Sequence, residues 1–162
     1  MEDTMSFNFN ADNIFEMAEE IERNGSKFYK DAAGKISDEE LKQLLNSLSA
    51  MEDAHENTFK EMRMKLANSE KASHIFDPYD EEALYLQSLA ETKIFYKKEI
   101  DLSSAKEILL AAFSAEKESI LFYHGMKNFV PEQIGKKWVD NIIEEEKKHI
   151  ILIGNELKKL HK

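Results

Sequence analysis

Cysteine is absent from the 162-residue chain, which rules out disulfides, thiolate metal ligands, thiol catalysis and cysteine-held iron–sulfur clusters. Glycine and proline are scarce, at 5 and 2 residues, so little interrupts regular backbone. No apolar run approaches the ~18 residues that a membrane-spanning helix needs. The opening segment, Met1 to Asn10, is polar and acidic and carries no apolar signal core. No membrane role and a cytoplasmic location are therefore expected. Positive charge is in deficit, with 22 Lys and Arg against 32 Asp and Glu for a net charge of −10. Nucleic acid and anionic membranes both require a basic face, which excludes them as main partners.

What is present is charge and helical periodicity. Charged residues make up 33% of the chain, and apolar residues recur in steps of three and four. That pattern belongs to an all-α protein, and the length suits one domain spanning residues 1–162 with a sizeable core. Four amphipathic segments are predicted, at about 11–33, 38–67, 104–128 and 131–160. The first carries Ile14, Ala18, Ile21, Gly25, Phe28 and Ala32 in the alternating spacing of a bundle seam, and stops at Gly34. Ser37 with Glu40 forms a capping box for the second, whose apolar positions include Leu41, Leu44, Leu48, Met51, Phe59, Met62 and Leu66. Ser104 with Glu107 caps the third, and Pro131 opens the fourth as a first-turn proline. Short connections make each pair an antiparallel hairpin. The hairpins are joined by a long crossover, about 68–103, which contains Pro78 and a short helix from Asp80 to about Thr92. This is the connectivity of a ferritin-like four-helix bundle.

An internal repeat at an offset of 94 residues locates the chemistry. It superposes Glu22 on Glu116, Phe28 and Tyr29 on Phe122 and Tyr123, Glu52 on Glu146, and His55 on His149, together with the seam residues around them. Each half thus holds a lone Glu followed, thirty residues on, by Glu-x-x-His. Glu and His three apart share one helix face. With ~1.5 Å rise per residue, the lone Glu and the pair sit at similar height on either side of the hairpin turn. Four carboxylates and two imidazoles converge at one level, where two divalent cations would balance the buried charge. Oxygen-rich ligation with one imidazole per metal suits iron or manganese, alone or as a mixed pair, better than structural zinc.

Glutamate is abundant, 23 residues in all, so a Glu three places before any His arises by chance about one time in seven. An isolated Glu-x-x-His is ordinarily a solvated helix face. The repeat, the shared upstream Glu and continuity with the apolar seam separate these six residues from that background. By the same mapping Glu19, Glu20 and Glu118 fall on non-acidic mates and are expected to be surface charge, with Glu56 a reserve candidate. His74, His124 and His161 lack the spacing. Tyr29 and Tyr123 lie two turns from their Glu on the same face, either as packing residues or as hydroxyl donors and redox-active neighbours of the site. Gly25 and Ser119 either leave room beside the metals or allow closer helix packing. Glu145 is one candidate partner for a ligating histidine, but its repeat mate is Met51, which argues against it.

The segments AEEIERNGSKFYKDAA, MEDAHENTF, SAEKESILFYHG and IEEEKKHIILI resemble the four helices of the rubrerythrin-like branch of the ferritin-like superfamily, over nearly the whole chain. The resemblance implies a non-haem diiron-carboxylate centre, with Glu22 and Glu116 as ligands from the first and third helices and the two Glu-x-x-His pairs as the rest. It departs from that family in two places. Rubrerythrins carry a four-cysteine rubredoxin-like module; this chain has no cysteine, so electrons are expected from a separate rubredoxin-like or similar donor protein. An additional Glu linked to their peroxidase cycle falls at Ser119 here. The expected function is a diiron or dimanganese oxidoreductase reacting with peroxide or dioxygen, active as a homodimer. An iron-binding or ferroxidase protein for iron sequestration is the alternative, and a bundle that has lost its metal is the third reading.

Overall fold

The computed structural model describes residues 11–69, 81–91, 100–132 and 135–161. They form helices α1 (Ala11–Lys35), α2 (Glu39–Ser69), α3 (Glu81–Glu91), α4 (Ala105–Met126) and α5 (Lys136–Leu160), with a 3-10 turn at Lys127–Phe129. Helix α1 packs along α2 and α4 along α5, and the two hairpins meet through α1 with α4 and α2 with α5. The all-α, ferritin-like bundle expected from the sequence is the architecture observed. Among the described residues no helix is long and apolar enough to cross a membrane. Pro78, His74 and the segment Met1 to Asn10 lie outside the described residues.

The seam positions are the core. Ile14, Ala18, Ile21, Phe28 and Ala32 of α1 are buried against Leu41, Leu45, Leu48, Phe59, Met62 and Leu66 of α2, and Ile108, Ala112, Phe122 and Met126 of α4 meet Val139, Ile142, Ile143 and Ile153 of α5. Two positions of α2 differ from the expected seam. Leu45, not Leu44, is fully enclosed, and Met51 is 40% exposed at the edge of the bundle. The short crossover helix α3 contacts α4 by driving Leu86 into it. A Cβ at Gly125 would lie 2.5 Å from the Leu86 side chain, so glycine there permits the approach.

The helix starts depart from the expected signals in three places. Asp38, not Ser37, caps α2: its Oδ1 accepts from Leu41 N at 2.9 Å. A carboxylate here gains from the helix dipole as well as from the hydrogen bond. At α4 only half of the capping box forms. Ser104 accepts from Glu107 N at 3.3 Å, but the Glu107 carboxylate reaches past it to Asp101 N at 2.8 Å. Pro131 does not open α5. Its carbonyl accepts from Gly135 N at 3.2 Å, closing a separate turn, and α5 begins only at Lys136. Gly135 has φ 130°, a conformation L side chains rarely adopt, and a Cβ there would lie 2.2 Å from Trp138 Cδ1.

Candidate metal centre

Midway along the bundle the apolar seams are interrupted on all four long helices at one level. Glu22 of α1, Glu52 and His55 of α2, Glu116 of α4, and Glu146 and His149 of α5 are all buried. All six residues selected by the repeat are brought together. Their ligand atoms form two groups, Glu22, Glu52, His55 and Glu146, and Glu52, Glu116, Glu146 and His149, each group lying within 4.8 Å.

The two groups share Glu52 and Glu146, and the atoms show how. His55 Nδ1 lies 3.0 Å from Glu146 Oε1, 3.5 Å from Glu22 Oε2 and 3.9 Å from Glu52 Oε2. His149 Nδ1 lies 3.0 Å from Glu146 Oε2, 3.3 Å from Glu52 Oε1 and 3.4 Å from Glu116 Oε1. Glu52 and Glu146 therefore present one oxygen to each side, whereas Glu22 and Glu116 each serve one side. The imidazole rings face each other 5.8 Å apart between centroids, tilted by 20°. The Glu spacings alone did not show which carboxylates are shared; that depends on the rotation of α2 and α5 about their axes.

The phenols cross the bundle. Tyr29 donates to Glu116 Oε1 at 2.5 Å, and Tyr123 donates to Glu22 Oε1. Each tyrosine thus holds the lone carboxylate of the other hairpin, and both are fully enclosed. Burial, with the carboxylates around them, pushes both phenols well above their ordinary value, so they remain donors.

Electrostatics divide the cluster. Burial, reinforced by repulsion from Glu22, Glu146 and Glu116, raises Glu52 well above the carboxylate range. Burial and the charge of Glu146 raise Glu116 to about 8, against the pull of His149. Burial also opposes ionisation of Glu22, but its contacts with Glu52 and His55 outweigh it and hold Glu22 below the ordinary value. For the imidazoles burial disfavours the charged form. Contacts with Glu146 and Glu22 nevertheless lift His55 to about 11, and contacts with Glu116 and Glu146 lift His149 to about 9. Even so, Glu22 Oε2, Glu52 Oε1, Glu116 Oε2, Glu146 Oε2 and His149 Nδ1 have no hydrogen-bond partner. Buried polar atoms are seldom left so. Five at one focus, all of metal-ligating type, fit a pair of oxygen-preferring divalent cations.

The outer nitrogens differ. His55 Nε2 lies 2.5 Å from Glu145 Oε2, while His149 Nε2 faces Met51 Sδ at 3.2 Å. Glu145, disfavoured in the sequence because its repeat mate is Met51, is thus the partner of His55, and the two mates occupy equivalent places with different chemistry.

Other expectations are corrected or refined. Glu19, expected on the surface, is buried and paired with Arg63 Nη1 at 2.8 Å. Glu20 is exposed, as are His124 and His161. Glu56 stays outside both groups and pairs with Arg23 at 3.4 Å and Lys60 at 3.1 Å. Ser119, buried beside Glu116 on α4, gives its hydroxyl to Ala115 O at 2.9 Å.

No family model and no curated protein matches the chain. Among solved structures it is similar to a protein of Thermotoga maritima described as a candidate ferritin-like diiron-carboxylate protein. The two are 21% identical and superpose with a TM-score of 0.66 over 93% of this chain and 96% of that one. At that identity the likeness shows a shared fold.

Proposed function

We propose that the cluster is a dinuclear metal centre, that iron is its preferred occupant, and that the protein is an oxidoreductase acting on peroxide or dioxygen with electrons from a separate donor protein. The observation that carries the reading is the sharing of Glu52 and Glu146, each with one oxygen toward either histidine. A surface cluster of acids has no reason to adopt it. The description of the Thermotoga maritima protein as diiron-carboxylate supports the same assignment by analogy of fold. Three carboxylates and one imidazole at each position suit iron or manganese.

Two iron ions in such a setting supply two-electron redox chemistry toward an oxidant. The chain's own residues supply the rest. Glu52 and Glu146 would contribute to both positions, and Glu22 and Glu116 to one each. His55 and His149 offer Nδ1 to the interior, which leaves the Nε2 proton pointing outward. Tyr29 and Tyr123 fix the terminal carboxylates by donating to them. Glu52, Glu116 and the imidazoles would give up their protons on binding cations. The enclosing seam keeps bulk water from the focus. Ser119 has no carboxylate to stand in for the Glu that rubrerythrins place at that position, and its hydroxyl bonds its own helix at Ala115 O. The reading is accordingly an oxidoreductase, with no commitment to the rubrerythrin peroxidase cycle.

Anaerobic loading with iron(II) followed by metal analysis is expected to give two iron per chain, and stopped-flow mixing with peroxide or oxygen is expected to oxidise that iron faster than free iron in buffer. Glu52→Ala and His55→Ala should lose both properties. Iron content at background, or oxidation no faster than in buffer, overturns the reading. Oxidation that proceeds once and does not turn over with any reductant assigns the protein to iron sequestration instead.

A further inference from the structure

The 94-residue repeat makes the two halves of the centre near copies of each other. Shared carboxylates, crossed tyrosines and facing imidazoles all obey it. The exception among the groups touching the histidines is the pair of mates Met51 and Glu145. Glu145 Oε2 stands 2.5 Å from His55 Nε2, and Met51 Sδ stands 3.2 Å from His149 Nε2. We propose that Glu145 is a positioning residue that makes the two cation positions unequal, so that the position formed by Glu22, Glu52, His55 and Glu146 binds a divalent cation more tightly than the one formed by Glu52, Glu116, Glu146 and His149. The inference rests on the reading of the cluster as a dinuclear metal centre.

The physical difference lies in what receives the outward proton. A histidine that ligates through Nδ1 carries its proton on Nε2. For His55 the acceptor is a carboxylate, which forms a charge-assisted hydrogen bond, fixes ring and tautomer, and makes the inner nitrogen a better donor to a cation. For His149 the acceptor is a thioether sulfur, which accepts weakly and carries no charge. Partners of this kind change metal affinity by about 10- to 100-fold. The Glu145 side chain is 55% exposed and solvent screens it, which places the expected effect at the lower end, about tenfold. The inner ligands are matched in type by the repeat, so among the groups touching the histidines the contrast falls on these two outer residues.

Two cations that share bridging carboxylates load unequally even in a symmetrical site, so unequal steps alone decide nothing; the response to exchanging the outer residues does. Anaerobic calorimetric titration of the metal-free protein with cobalt(II), followed in parallel by the visible cobalt absorption, measures both steps. Glu145→Met is expected to lower the overall affinity for the pair about tenfold, with most of the loss in the first step. Met51→Glu is expected to raise it by a similar factor, with most of the gain in the second. Glu145→Gln, which keeps an acceptor without the charge, should recover part of the Glu145→Met loss. A residue that served only the fold would lower the melting temperature of the metal-free protein and leave the division between steps unchanged. Unaltered affinities in Glu145→Met, or a loss spread evenly over both steps, overturn the inference. Failure of the unsubstituted protein to take up cobalt(II) overturns the metal centre itself, a separate result.

Discussion

Tyr29 and Tyr123 show how single side chains tie the two hairpins together. Each is fully buried, and each donates to a carboxylate that also faces the cluster. Replacing Tyr29 by Phe keeps the ring and leaves Glu116 Oε1 without its donor in a place water does not reach. The expected cost is about 1–2 kcal/mol in the unfolding free energy of the metal-free protein, measured by urea denaturation. Tyr123→Phe should cost a similar amount through Glu22, and both variants should still bind two cations, because each phenol donates to a carboxylate and all six Glu and His side chains of the cluster are kept. An unchanged urea midpoint would reduce the phenols to packing residues. Arg63 is the other residue whose reach decides its neighbourhood. It bonds Asp12 Oδ1 at 2.7 Å and Glu19 Oε2 at 2.8 Å, so a carboxylate that the repeat assigns to the surface is enclosed and neutralised. The repeat compares α1 with α4 and carries no information about an arginine arriving from α2.

At the scale of the element, the long helices were legible because their periodicity continues through each Glu and His of the cluster, and the repeat doubled the signal. Their ends were not. Ser37 and Asp38 are both good caps standing side by side, and the geometry of the hairpin turn chose between them. Asp38→Ala is expected to destabilise the protein by about 1 kcal/mol, and Asp38→Asn by much less, since the amide oxygen still accepts from Leu41 N. Chemical denaturation checks both, and equal losses would mean that the charge and not the cap is what matters. At α5 a proline in a favourable position was overruled by a separate turn and by Gly135, whose positive φ no spacing rule reveals. Leu45 displaced Leu44 in the seam for the related reason that a shift of one residue along a helix is a rotation of ~100°.

Over the whole molecule, the architecture and the six converging residues were legible because two hairpins built alike must place like residues at one height. The inequality of Met51 and Glu145 was not, since it depends on which side chain lies outside each imidazole once α2 and α5 are in register. The metal-free protein also has a charge balance that belongs to the assembly. His55 is lifted to about 11, His149 to about 9 and Glu116 to about 8, so the folded chain holds more protons than the unfolded one through the neutral and basic range. Stability then falls as pH rises. The histidine contribution is complete below about 6.5 and is lost as pH climbs through the raised values. Protonated Glu116 contributes in the same direction from about 4.3 to about 8. Glu22, held low, matters only in acid. With a chelator present, the melting temperature should therefore be lower at pH 9 than at pH 6. Excess manganese(II) should raise it more at the higher pH, because cation entry displaces those protons. A metal-free melting temperature that rises with pH contradicts the assignment of protons to these groups.

The division of ligands between hairpins has a kinetic consequence. Each position takes three residues from one hairpin and one from the other, and the shared Glu52 and Glu146 are 94 residues apart in the chain. A cation seated there is a crosslink between distant parts of a polypeptide that has no cysteine with which to make one. Parting α2 from α5 would break its contact with Glu52 or with Glu146. A bound cation would therefore be expected to slow the separation of the two hairpins.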